Sequence, residues 1–167
     1  MAHTVAMAVV IAAVVLMAAC CQRKPALPHA SFKHVPSTGW LRNSPLSFTP
    51  EYDDSTATYD IVLAVRHSNT YAYSNLSLTV DFIAEDSTVA RYPVSIALAD
   101  EFGNWTGGGF GTLYQVTVPV AEYVAPAHAA RLLVWQVMAP GDTLAGIEDV
   151  GIIASPSQVR LPEGPNN

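Results

Sequence analysis

The feature that most limits what this chain can become is an apolar–polar alternation at period two, repeated through its middle without any sustained helical period. In Leu76-Ser-Leu-Thr-Val-Asp-Phe82, residues Leu76, Leu78, Val80 and Phe82 share one face of an extended segment, and Ser77, Thr79 and Asp81 the other. Tyr59, Ile61, Leu63 and Val65 alternate in the same way with Asp60 and Arg66. So do Tyr114, Val116, Val118 and Val120 with Gln115, Thr117 and Pro119. Residues 46–48, 92–98, 131–137 and 150–154 complete the set of short strands, with turn residues between them. The pattern predicts an all-β chain: a β-sandwich, Ig-like or jelly-roll-like, of roughly seven to nine antiparallel strands. Pro93 and Pro119 lack the N–H that a central strand donates, so they mark sheet edges or strand ends.

The N-terminus has a different logic. Val5 to Ala19 is a continuous apolar run, shorter than the roughly 20 residues that span a bilayer comfortably, and matches the apolar core of a signal peptide. It ends in Leu16-Met17-Ala18-Ala19-Cys20, which resembles a lipobox, where a bacterial lipoprotein is diacylated on the thiol, cleaved before it, and acylated on the new amine. Met1-Ala-His-Thr carries no Lys or Arg where a basic segment is usual, and Met17 is not the commonest residue three before the cysteine. An ordinary cleaved signal peptide and an uncleaved anchor extending through Cys21 are the alternatives. Acyl chains on Cys20, palmitate among them, hold a protein to a membrane because each buried methylene contributes about 0.8 kcal/mol. The implied organisation is a signal peptide over 1–19, then the lipidated cysteine and a Pro-rich tether over 20–39. A β-sandwich domain follows over 40–156, and a free tail over 157–167.

Composition excludes whole classes of function. The 148 residues after position 19 suit one domain with a core that needs no staple. Every charged residue lies in that part, so its net charge is −6, with no basic patch to neutralise nucleic-acid phosphates. Cys20 and Cys21 are the only cysteines, so the globular part has neither disulfide nor thiolate metal site. No cofactor is expected.

The search for chemistry returns little. Gly103-Asn-Trp-Thr-Gly-Gly-Gly-Phe-Gly111 lacks the Lys-Ser/Thr of a phosphate loop and precedes a strand rather than a helix. It reads as a wide turn with several positive-φ positions, pinned by Trp105 and Phe110. Glu51, Asp53, Asp54, Asp100 and Glu101 are loop carboxylates without a calcium-loop pattern, and they read as solvated. His29, His34, His67 and His128 show no ligand spacing, and no Gly-x-Ser-x-Gly or His-Glu-x-x-His occurs. Tyr71 and Tyr73 stand two apart before Asn75, so they share a face where an aromatic could stack on a sugar ring or pack a core edge. Ser55, Ser87 and Thr143 follow Asp in predicted loops, as in a bacterial periplasmic O-glycosylation motif, although Asp-Ser and Asp-Thr are also ordinary turn chemistry. Asn75-Leu-Ser and Asn104-Trp-Thr fit a eukaryotic N-glycosylation pattern that the lipobox puts out of context.

Three blocks carry a family resemblance. Tyr59-Asp-Ile-Val-Leu-Ala-Val-Arg-His67 with Tyr71-Ala-Tyr-Ser-Asn-Leu76 is the first, and Leu98-Ala-Asp-Glu-Phe-Gly-Asn-Trp-Thr-Gly-Gly-Gly-Phe-Gly111 the second. Leu144-Ala-Gly-Ile-Glu-Asp-Val-Gly-Ile152 is the third; Trp40, Pro45-Leu46-x-Phe48 and the lipobox complete the order. Together they resemble the gliding-motility lipoprotein GldH family over nearly the whole mature chain. One departure is Ala139-Pro140 after Met138, where the family pattern has Met-Arg. The resemblance implies a lipid-anchored envelope protein needed for surface gliding and tied to type IX secretion, with no established catalysis. An acidic run after the lipidated cysteine sends such proteins to the cell surface. Cys21-Gln-Arg-Lys-Pro25 has none, so an outer-membrane anchor with the domain facing the periplasm is expected. The expectation is a non-enzymatic docking component whose partners are envelope proteins of a gliding or secretion machinery. Its partner-binding residues would be Tyr71, Tyr73, Asn75 and Trp105, with Arg66 pairing a carboxylate in the same surface. The alternatives are a periplasmic glycan-binding module using these aromatics and, less well supported, a hydrolase built on the carboxylate loops.

Overall fold

The computed structural model describes residues 27–138 and 141–158. Cys20, Cys21, the expected signal peptide, Ala139-Pro140 and most of the expected tail lie outside the described residues. The seven predicted strands are all present. They are β3 (Leu46–Phe48), β4 (Tyr59–Ser68), β5 (Asn75–Ala84), β6 (Ser87–Ala97), β8 (Leu113–Val124), β9 (Arg131–Gln136) and β11 (Ile147–Pro156). Four more escaped the alternation: β1 (His29–His34), β2 (Trp40–Leu41), β7 (Gly108–Phe110) and β10 (Thr143–Leu144). Among the described residues the one helical element is a 3₁₀ turn over Pro126–Ala129.

The long strands form two antiparallel sheets, β1-β11-β4-β8-β7 and β3-β9-β5-β6, with β2 and β10 as a separate two-stranded ribbon. Their inner faces supply one core. Ile61, Leu63 and Val65 come from β4, and Leu76, Leu78, Val80 and Phe82 from β5. Leu132 and Val134 of β9 and Val150 and Ile152 of β11 join them. Each side chain of this size contributes roughly 1.5–3 kcal/mol when taken fully out of water, which is why a period-two pattern suffices to choose the register. The chain is therefore a two-sheet β-sandwich.

The tether ends earlier than residue 39. His29–His34 pairs with β11 from His29 opposite Ala154 to His34 opposite Asp149, so residues 29–34 of the Pro-rich segment are an edge strand of the domain. The strand was illegible because an edge position leaves Ala30, Ser31, Lys33 and His34 exposed, and no apolar alternation marks it. Phe32 instead lies on the outer face of the sheet, against Gly151, where an added Cβ would come within 2.5 Å of its ring.

Both prolines sit where a missing donor is tolerated. Pro93 is on β6, the edge of the four-stranded sheet, and Pro119 is on the part of β8 that the three-residue β7 leaves uncovered. The strands also give the molecule two poles. Because β1 starts opposite the Ala154–Ile61 end of β11 and β4, the tether joins at the pole where β4 begins. Asp53 fixes that junction by accepting from Leu27 N–H at 3.2 Å and His29 Nε2–H at 2.8 Å. The loops after β4 and β6 lie at the opposite, distal pole.

Candidate functional site

The three sequence blocks meet at the distal pole. After β4 the chain turns through Tyr71, whose N–H donates to Ser68 O at 3.2 Å, and re-enters the sandwich as β5. Ser74 O accepts from Leu98 and Ala99 N–H at 2.8 and 3.0 Å, which ties the second block to this turn. Gly146 O accepts from Ser68 N–H at 2.9 Å and brings in the third. Gly146 has φ +85°, and an added Cβ would lie 2.7 Å from Tyr71 Cα, so only glycine lets these two turns close.

At the centre of the convergence is His67, fully buried on the inner face of β4. Its Nδ1–H donates to Ser68 O at 3.1 Å, while Nε2 is buried without a hydrogen-bond partner. The imidazole stacks on Tyr114 (5.5 Å between centroids) and meets Trp105 edge-on at 4.8 Å and Tyr71 at 5.9 Å. Burial holds its pKa below the usual 6.5, against the smaller opposing effect of the Ser68 carbonyl. The buried ring, wedged among three aromatics, braces this pole.

The loop above this cluster is held open by its own hydrogen bonds. The Asp100 carboxylate accepts from Asn104 Nδ2–H at 2.9 Å, Asn104 N–H at 2.8 Å and Phe102 N–H at 2.9 Å; these donors hold its pKa below the usual carboxylate range, the Asn104 side chain foremost. Thr106 N–H donates to Leu98 O at 2.8 Å and brings Trp105 back beside Ala99. Phe102, 81% exposed, and Phe110, 92% exposed, project outward beside the exposed polar residues Glu101 and Asn104. Tyr73, 38% exposed, belongs to the neighbouring turn.

The residues expected to form one docking surface do not all face solvent together. Tyr73 and Asn75 are exposed. Tyr71 is 3% exposed and belongs to the core, its hydroxyl donating to Asn75 O at 3.0 Å and pushed well above the ordinary tyrosine pKa by burial. Trp105 is half-buried against His67 and pins its loop as expected, whereas Phe110 pins nothing. Arg66 does pair with a carboxylate, Asp149 at 3.6 Å, but on the opposite face of β4 from His67. There its Nε–H donates to Gln115 Oε1 at 2.8 Å and its guanidinium lies 4.1 Å from the Phe32 ring, so it braces the outer sheet face. Phe102 and Phe110 were missed because an apolar residue in a Gly-rich loop reads as an anchor. The readable signal was their position between turn residues, outside any alternation.

The remaining candidates have structural surroundings. Asp54 Oδ1 accepts from Thr56 N–H and Oγ1–H, a side-chain-capped turn around exposed Ser55. Ser87 and Thr143 are exposed, but they begin β6 and β10 instead of lying in loops. Among the described residues no three His, Cys, Asp or Glu side chains group as a metal site would require.

Comparison with known proteins places this pole in a family context. The family model described as GldH lipoprotein matches residues 29–153, which contain the whole sandwich short of its last strand residues. The chain belongs to the GldH lipoprotein family. As a member of the GldH lipoprotein family it is a lipid-anchored protein of the cell envelope. A gliding motility lipoprotein GldH homolog of Christiangramia forsetii is 26% identical over 113 residues, covering 66% of this chain and 70% of that protein. Among solved structures, the Tobacco streak virus coat protein covers 86% of this chain with 9% identity and a TM-score of 0.30, over 95% of its own length. Infectious bursal disease virus VP2 covers 77% with 11% identity and a TM-score of 0.29, over 33% of its own length. These two structural likenesses are too slight to bear on function.

Proposed function

We propose that this GldH-family chain is a non-enzymatic docking component of a gliding-motility or type IX secretion assembly. In this reading it is held at the outer membrane by acyl chains on Cys20, with its domain in the periplasm. Its contact surface is the distal tip made by Tyr73, Phe102 and Phe110, with Asn75 at its margin. The observation that carries this reading is the tip itself: two largely exposed phenylalanines, Phe102 on the loop that Asp100 hydrogen-bonds and Trp105 pins, and Phe110 at the end of β7, paired with Leu113 of β8. Aromatic residues are enriched at protein–protein contacts, and a side chain with only two torsions loses little freedom on binding. The tip also lies at the pole opposite the tether, where a partner can reach it past the membrane surface. The name of the Christiangramia forsetii relative supports gliding as the process.

The glycan-binding alternative keeps only Tyr73 of its three aromatics at this pole, because Tyr71 is buried and Trp105 is packed against His67. The docking reading is tested by extracting tagged full-length chain from membranes and identifying what accompanies it by mass spectrometry. Wild type should recover gliding or secretion components, and the triple variant Tyr73→Ser, Phe102→Ser, Phe110→Ser should lose them while melting at the same temperature. Unchanged recovery by the triple variant would move the interface elsewhere.

A further inference from the structure

We propose that the outer face of the four-stranded sheet carries a binding site for an acidic sugar, a pyranose ring bearing a carboxylate. A cavity of about 310 Å³ opens there, lined by Arg42, Thr79, Arg91, Trp135, Gln136 and Val137. That volume is at the low end of ligand sites, which run from roughly 300 to 1,000 Å³.

The site is built around Asp81. This residue points outward from β5 yet is only 2% exposed, because its neighbours on both sides close over it. Arg91 of β6 donates Nε–H to Oδ1 at 2.5 Å and Nη2–H to Oδ2 at 2.7 Å. Trp135 of β9 donates Nε1–H to Oδ2 at 3.2 Å. One carboxylate thus fixes an indole and a guanidinium before any ligand arrives, which lowers the entropy lost on binding. With its N–H committed, Trp135 offers its ring surface. Arg91 has Nη1 without a partner among the described residues.

Arg42 supplies the charge. Its Nη2 donates to the Met138 carbonyl and, at 2.8 Å, to the Gly141 carbonyl, while its Nε is buried with no hydrogen-bond partner. Carbonyls orient a guanidinium without cancelling it, and among the described residues Arg42 forms no salt bridge with a carboxylate. The described residues contain five Lys and Arg side chains (Lys33, Arg42, Arg66, Arg91 and Arg131) in a chain of net charge −6, and two of the five line this cavity; Arg91 is already paired with Asp81, so the uncancelled charge is that of Arg42. Gln136 shapes the wall with its amide committed inward, Oε1 accepting from Met138 N–H at 3.0 Å.

A fixed aromatic ring, an uncancelled guanidinium and the Thr79 hydroxyl side by side are what an acidic pyranose needs. Its C–H face stacks on Trp135, its carboxylate meets Arg42 and Arg91, and a ring hydroxyl reaches Thr79. The surrounding outward positions Ser77 and Ser95 are polar, which suits a hydrated saccharide better than an apolar protein partner. The site lies on a sheet face and the docking tip on distal loops, so either can fail without the other.

The test is titration of the full chain, in detergent, with oligogalacturonate, following tryptophan fluorescence and binding heat. A saturable signal is expected, weakening as salt rises and absent with a neutral oligogalactoside. Val137 is 45% exposed at the rim, so Val137→Glu should fold normally and weaken binding at least about tenfold, while Val137→Gln leaves it within about twofold. Equal affinity for the neutral oligosaccharide would overturn the proposal. So would an unchanged Val137→Glu variant, competition by acetate at the same concentration as the uronate, or no binding at millimolar sugar.

Discussion

His67 is the residue whose environment has the clearest cost. Its Nε2 is buried without a partner, and charging it would place a cation among Trp105, Tyr114 and Tyr71 with its second N–H unsatisfied. Burial therefore holds its folded-state pKa below 6.5, and the unfolded chain takes up the proton first as acid is added. The sign follows from linkage: stability is complete above about pH 6.5 and falls below it, by at most about 1.4 kcal/mol per pH unit, until the folded form is protonated too. Denaturant unfolding between pH 7.5 and 5 should show this decline in wild type, and His67→Phe should flatten it. An equal decline in the variant would assign the effect to another group. This position was half legible in the sequence. The alternation puts His67 on the inner face with Ile61, Leu63 and Val65, but only the fold shows that the Gly-rich loop returns to cover it. The same covering explains why Tyr71 fails as a surface residue: a two-residue spacing shows that Tyr71 and Tyr73 are related, not which of them the turn takes inside.

At the scale of elements, the β5–β6 hairpin is a place where local chemistry works against the fold. Ala84 pairs with Ser87, and the two residues between them, Glu85 and Asp86, both take positive φ, 47° and 62°. Such a two-residue turn is best served by Asn-Gly, whereas a Glu with a Cβ resists the left-handed region. Replacing Glu85-Asp86 by Asn-Gly should stabilise the domain by about 1 kcal/mol and raise its Tm by roughly 3–5 °C. The exposed Asp86–Arg131 pair at 3.3 Å is lost in the exchange but contributes little in water. A lowered Tm would mean that this pair or the native turn matters more than its geometry implies. The hairpin also shows what strand reading can and cannot do. Long strands buried on one face, such as β4 and β5, announce themselves through Leu63 or Val80. The two- and three-residue strands β2, β7 and β10 have no room for a period, and β1 has no buried face to display one.

At the scale of the molecule, the sandwich of this lipid-anchored protein receives its N-terminal segment at one pole, where Leu27 and His29 are fastened to Asp53. Among the described residues the first strand begins at His29, beyond Cys20, the proposed acylation site, so anchoring and folding should separate cleanly. Cys20→Ala should move the protein from the membrane to the soluble fraction while its circular dichroism and melting temperature stay unchanged. A variant that stays in the membrane would instead indicate an uncleaved apolar anchor. The fold class was the most legible level, because alternation and proline placement each constrain many residues at once. The outer-face cavity was not legible, since it joins Arg42, Asp81, Arg91 and Trp135 across three separate strands and a loop.

Proline and brevity at the rims of the two sheets have a consequence that belongs to a crowd and not to one molecule. Copies anchored in the same bilayer diffuse in two dimensions, which raises their mutual encounter frequency far above that of the same number free in solution. An open strand edge under those conditions is a template on which neighbours could polymerise. Here Pro93 interrupts one rim and Pro119 another, β3 and β7 are each only three residues long, and the six-residue edge β1 presents the exposed charge of Lys33. Neighbouring domains can therefore be packed densely on a membrane without zipping into fibres, and their contacts are left to side chains.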